Sequence, residues 1–147
     1  MIDYHVVEPV TCSIDGIEQV CSLERTSTPD SYWTLVLTTP DGATWTGAGH
    51  GLWTAFLELR RQLEPVGYKL CCAGARVDAH MRGGRWTDGD IVDILSRRTM
   101  LGIQHKVFIF DYAPPARIAT VDEQSARNDR WFDTPWWRAL VPGNPVR

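Results

Sequence analysis

The sequence predicts an α+β fold: an antiparallel sheet from an N-terminal strand meander, one amphipathic helix packed on it, and peripheral C-terminal helices. Three observations carry this. Residues 1–50 alternate apolar and polar side chains between turn signals, residues 51–63 switch to a helical period, and Thr120 to Gln124 has the form of a helix start. At 147 residues, with 44% hydrophobic and 22% charged, the chain is sized for one domain that buries a core without staples. Residues 1–141 are assigned to that domain and 142–147 to a frayed tail.

The elements follow in order. Asp15-Gly16, Thr28-Pro29-Asp30 and Pro40-Asp41-Gly42 are turn signals, placing strands near 3–10, 17–26, 31–39 and 43–48. In the second strand Ile17, Gln19, Cys21 and Leu23 share one face and Glu18, Val20, Ser22 and Glu24 the other. In the third, Trp33, Leu35 and Leu37 oppose Tyr32, Thr34, Val36 and Thr38. One face is core; the other is polar and acidic. Leu52, Phe56, Leu59 and Leu63 form the apolar stripe of a helix over 51–63, with Arg60 and Arg61 on its solvated side. Pro65 and Gly67 end it, and Tyr68 to Ala73 returns as a short buried strand. Residues 74–90 hold four glycines and read as an irregular loop with Arg82 to Trp86 at its tip. Ile91 to Leu95 fits a helix turn begun by Asp88 or a short strand, and the helix is the reading taken. Lys106 to Phe110 is a strand. The helix opened by Thr120 is very polar, anchored by Val121, Trp131 and Phe132, and is placed on the surface. Thr134-Pro135-Trp136-Trp137 starts a last short helix.

Charge is sorted along the chain. Asp3, Glu8, Asp15, Glu18, Glu24, Asp30 and Asp41 face only Arg25 in the first fifty residues, a net of −6, while the rest carries +3. Such sorting biases partner choice without naming a partner. Cys12, Cys21, Cys71 and Cys72 make no C-x-x-C pair, which suits a reducing cytoplasm, and the sequence shows neither an export signal nor an apolar run of membrane-spanning length.

Catalytic signatures are missing from the sequence. Asp88, Asp90 and Asp93 are spaced like hard-cation ligands, but the calcium-loop pattern stops there, and an Asp at a helix start is explained by capping. His5, His50, His80 and His105 are scattered without a zinc or hydrolase motif, and Cys71-Cys72 sits in an apolar context that favours inert thiols. No cofactor is expected. A nucleic-acid binder would use Arg60, Arg61, Arg76, Arg82, Arg85, Arg97 and Arg98 with Trp86 as a stacking ring, against the repulsion of a net charge of −3.

Leu57 to Pro65 followed by Gly67-Tyr68 and Gly74-Ala75-Arg76, then Asp111 and Thr120 to Gln124 before Trp131, loosely resembles a group of short uncharacterised bacterial proteins. Residues 81–104 depart from that pattern, and the resemblance implies no activity. In style the chain is similar to the immunity proteins of bacterial toxin systems: small, acidic, with an exposed sheet face. The function expected is therefore non-catalytic binding of a basic protein, most concretely a toxin. Glu18, Glu24, Asp30 and Asp41 would supply charge and Tyr32 an aromatic contact. The competing use of these acids is to keep exposed strands soluble and unpaired. The alternatives are a nucleic-acid binder through Arg82 to Trp86 and a metal-dependent enzyme using Asp88, Asp90 and Asp93.

Overall fold

A computed structural model of the chain describes residues 2–82 and 89–146. The Trp86 ring and the Asp88 carboxylate, both part of the sequence expectations, lie outside the described residues. The fold is α+β. Strands β1 (Tyr4–Ile14), β2 (Ile17–Ser27), β3 (Tyr32–Thr38) and β4 (Thr44–His50) run as an antiparallel meander, and β5 (Tyr68–Leu70) adds to the free side of β1, giving the order β4-β3-β2-β1-β5. The β1–β2 hairpin turns on Asp15 and Gly16, both at positive φ (51° and 77°), the two-residue geometry that matches strand twist.

The alternation read from the sequence decides which side is core. Cys21, Leu23, Trp33, Leu35 and Leu37 are buried, while Glu18 and Glu24 on the other parity are exposed. Arg25 continues the inward row and is only 3% exposed. Its guanidinium lies 5.6 Å from the Tyr4 ring centre, 5.6 Å from Phe108 and 5.0 Å from Phe110. Glu8 Oε1 is 2.9 Å from Arg25 Nε, yet neither atom has a hydrogen-bond partner. The two are close but out of line, so the pairing is Coulombic and the rings supply the rest of the cation's environment.

Helix α1 (Leu52–Leu63) covers the inner face against β3 and β4, burying Leu52, Ala55, Phe56, Leu59 and Leu63. It docks on bare backbone. A Cβ at Gly47 of β4 would fall 2.4 Å from the Ala55 carbonyl oxygen and 2.5 Å from the Leu59 nitrogen. Arg60 corrects the expected solvated side of this helix: it is 3% exposed and points to the core's edge, while Arg61 is exposed.

The C-terminal half forms a second sheet, β6 (Ala79–His80), β7 (Ile91–Ile94) and β8 (Lys106–Phe108), in the order β6-β7-β8. The helix reading of Ile91 to Leu95 is thereby overturned. Two neighbouring strands offer ladders to this segment, and Val92 and Ile94 alternate into the core at 0% and 2% exposure. The expected loop over 74–90 also contains a 3-10 turn, Ala73–Ala75, and β6. A short helix α2 (Arg97–Met100) follows, capped by Ser96 and Thr99. One buried cluster draws on both sheets, with Leu35, Phe56, Val92, Ile94 and Ile109 among its members.

Helix α3 (Val121–Asp133) starts at Thr120, whose hydroxyl accepts from the Glu123 amide at 3.1 Å. Its anchors differ from expectation. The buried residues are Val121 and Gln124, Trp131 is half-buried, and Phe132 is 57% exposed. In residues 142–146, Val146 is buried and the Gly143 carbonyl accepts from Arg97. Among the described residues no helix is long and apolar enough to cross a membrane.

Candidate functional site

Two surfaces stand out. The first is the outer face of the five-stranded sheet. Register places His5, Val7, Pro9, Thr11 and Ser13 of β1 beside Thr26, Glu24, Ser22, Val20 and Glu18 of β2, with Thr34, Val36 and Thr38 of β3 and Thr44, Thr46 and Ala48 of β4 continuing the rows. Apart from Ser13, each of these side chains is at least partly exposed. Val7 and Val20 are 58% and 64% exposed, so the surface is a flat field of threonine and valine with few charges.

The acids expected to form one patch are spread over this surface and its rim. Glu18 and Glu24 are on the face, six residues apart on one strand, or about 20 Å. Glu18 accepts from the Tyr112 hydroxyl at 2.5 Å, which raises the pKa of that phenol, and Glu24 lies 3.4 Å from His5 Nε2. Asp30 and Asp41 sit in the β2–β3 and β3–β4 turns, each holding a hydroxyl, Thr28 for Asp30 and Thr39 for Asp41. Those bonds keep both carboxyls below the usual carboxylate range. Tyr32 starts β3 at the Asp30 end, edge-on to His50 with ring centres 5.1 Å apart. Asp30 and Tyr32 are thus neighbours, Glu24 lies partway along the sheet, and Glu18 belongs to the end where Asp15 and Gly16 turn the chain.

The remaining sequence candidates are dispersed. Asp93 is engaged by two cations and Asp90 lines a separate cavity with Asp3, Tyr4 and Arg25. Because Asp90 precedes a strand, helix capping does not explain it. Among the described residues no three His, Cys, Asp or Glu side chains gather as metal ligands. Arg60 donates to Gln124 Oε1 and to the Ala119 carbonyl, both at 2.7 Å, and burial lowers its pKa. The four thiols are buried, and burial pushes Cys71 up to about 11 and Cys72 to about 12, leaving them protonated and poor nucleophiles.

The second surface escaped the sequence reading. On the small sheet His80 pairs in register with Asp93 and Asp93 with Lys106, so the three side chains share a face in one cross-strand row. The Asp93 carboxylate accepts from Arg82 Nε at 3.0 Å and Lys106 Nζ at 2.8 Å. Burial alone would raise its pKa, but those two hydrogen bonds and charges outweigh it and the carboxyl is held below its ordinary value. Burial lowers the pKa of the half-buried His80, partly offset by Asp93. His80 and Asp93 of this row, with Arg82, line a cleft of about 340 Å³, and Lys106 stands behind Asp93. One wall is aromatic: Phe132 lies edge-on to both His80 (4.8 Å) and Trp131 (5.0 Å), and Trp131 Nε1 donates to the Ser96 carbonyl at 3.4 Å. Ile103, Gln104 and His105, all exposed, and Leu95, buried, complete much of the lining. Nothing local in the sequence marks this site, because β6 is two residues long and its partner begins eleven residues after its end.

No protein-family model matches the chain, and no curated protein matches it, so the functional reading rests on these surfaces.

Proposed function

We propose that the protein is a non-catalytic binding domain, most concretely an immunity protein that neutralises a basic bacterial toxin, engaging it through the outer face of the five-stranded sheet. The observation that supports this reading is that face itself: strand rows whose inner side buries Cys21, Leu23, Leu35 and Leu37 present small, partly apolar side chains to solvent, with Glu18 and Glu24 on them and Asp30 and Asp41 at the rim. Partly apolar ground on which these four acids outnumber the one exposed cation among the described residues, Lys69 beside Ser13, suits a basic partner. The charge speeds and selects encounters, while Tyr32 and the valines supply buried contact.

The test is capture from the native host followed by kinetics with the purified partner. A basic partner is expected, with Glu18→Gln plus Glu24→Gln slowing association roughly ten-fold and flattening its salt dependence. Val20→Arg, on the exposed face between Glu18 and Glu24, should abolish binding while leaving stability within about 0.5 kcal/mol, as for other surface changes. A partner whose rates ignore all three substitutions would remove the sheet face from the interface and reduce the acids to solubilising groups.

A further inference from the structure

The cleft beside the small sheet has the opposite electrostatic character, and its features converge on one ligand chemistry. Its volume of about 340 Å³ lies at the low end of small-molecule sites, enough for one ring system and its substituent. The lining has two kinds of apolar surface. Phe132, Trp131 and His80 contribute a contiguous set of rings, and Ile103 and Leu95 contribute aliphatic surface. Phe132 is 57% exposed at the lip although two rings contact it, the placement of a stacking platform and not of a core anchor.

The polar groups narrow the choice. Gln104 and His105 on the lip each carry both donor and acceptor capacity, which suits the edge of a heteroaromatic ring better than a hydrocarbon. Thr99, also in the lining, is not available: its hydroxyl donates to the Ser96 carbonyl at 2.8 Å and accepts from the Ser96 amide at 2.6 Å. Two cations meet the Asp93 carboxylate, Arg82 of the lining and Lys106 on the neighbouring strand, so the three together leave one positive charge. The side chains of Arg82 and Lys106 remain 63% and 40% exposed, with donors to spare. This favours an anionic substituent on the ring, and it disfavours the basic partner that the sheet face would take. A cation is disfavoured too, since Asp93 is already paired twice.

We infer that this cleft binds a nucleotide, with the base slotted between Phe132 and Ile103, its edge on Gln104 and His105, and its phosphate on Arg82 and Lys106. The site stands independently of the sheet face. A free mononucleotide and an unpaired base of a single strand present the same ring and phosphate to it.

Titration of the full chain with adenosine or cytidine 5′-monophosphate, followed through the His80 and His105 imidazole and Trp131 indole resonances, tests the inference. Those resonances should move while the sheet-face amides stay still. Phe132→Ala should weaken binding roughly five- to a hundred-fold, the range for losing one base stack. Lys106→Gln should weaken the nucleotide but leave uncharged adenosine unchanged. A short single-stranded oligonucleotide separates the sources: tighter, steeply salt-dependent binding identifies a strand, whereas no gain over the mononucleotide identifies the free ligand. No shift at millimolar nucleotide, adenosine binding as tightly as its monophosphate, or full affinity in Phe132→Ala would each overturn the assignment.

Discussion

The N-terminal meander and the segment from Cys71 to Asp133 satisfy their backbones in different ways. In the meander, ladders between long strands pair the peptide groups, and side chains are left to sort themselves by polarity, apolar inward and threonine outward. The later segment has strands of two to four residues and long irregular runs, so many carbonyls lack a ladder. Side chains reach them instead. Gln124 Nε2 donates to the Gly74 and Arg76 carbonyls at 2.8 and 2.7 Å, Arg127 to Leu95 and Asn128 to Ala79 at 3.1 Å each, and Trp131 to Ser96. These four residues follow the spacing of one helix face, so the inward stripe of α3 is a row of hydrogen-bond donors. Arg60 and Glu64 of the preceding helical stretch join it, taking the Ala119 carbonyl and the Val121 amide. The lesson is that a polar helix need not be a surface helix. Where the neighbouring chain is irregular, polarity is what the buried side has to provide.

The largest expected effect breaks the first region where it depends on closeness. Gly47→Val would drive a side chain into the backbone of α1, since even a Cβ there falls 2.4 Å from the Ala55 oxygen, and backbone cannot yield as a flexible side chain does. A loss of at least about 3 kcal/mol is expected in denaturant unfolding, at the upper end of overpacking costs. Unchanged stability would mean that helix and sheet are not in the close contact described.

A smaller effect tests the second region against the ordinary rule. Gln124→Leu replaces a buried polar residue by an apolar helix former of similar size, which on an ordinary amphipathic helix should stabilise. Here it should cost about 2 kcal/mol, because Arg60 loses its buried acceptor and the Gly74 and Arg76 carbonyls lose their donor. A gain in stability would show that water or neighbouring groups replace Gln124 readily, and the contrast between the two regions would fall.

That contrast also explains what the sequence disclosed. The strand meander, its three turns and α1 were legible because their inward residues are apolar and their outward residues polar, the contrast that periodicity detects. Glu18 and Glu24 were placed outside for the same reason. Gln124, Arg127 and Asn128 invert that signal, so α3 was read as facing water and Phe132 as an anchor. Arg25 shows the limit most sharply. Alternation puts it on the inner face, but counting charges set it against the acids, and the inward position becomes tenable through Tyr4 and Glu8 nearby and through Phe108 of β8 and Phe110 just after it, more than eighty residues away. The His80, Asp93 and Lys106 row depends wholly on long-range register. Histidines without a motif carry no spacing to read.

The smallest effect concerns titration in the polar half. Burial holds the folded-state pKa of His80 below its ordinary 6.5, so as pH falls the unfolded chain takes up this proton before the folded one does. Stability from this group is therefore complete above 6.5 and is lost as pH drops from there through the lowered folded value. Asp93, facing the same imidazole, is also held low, by Lys106 and Arg82, and its contribution is complete above its ordinary 3.8 and lost only below it. The two windows are separate. Unfolding measured across the acid range should show an upper decline that His80→Asn removes and a lower one that Lys106→Met diminishes. If His80→Asn leaves the upper decline intact, the imidazole is open to water and the cleft is wider than described. The polar half would then be distinguished from the meander by its hydrogen bonds alone.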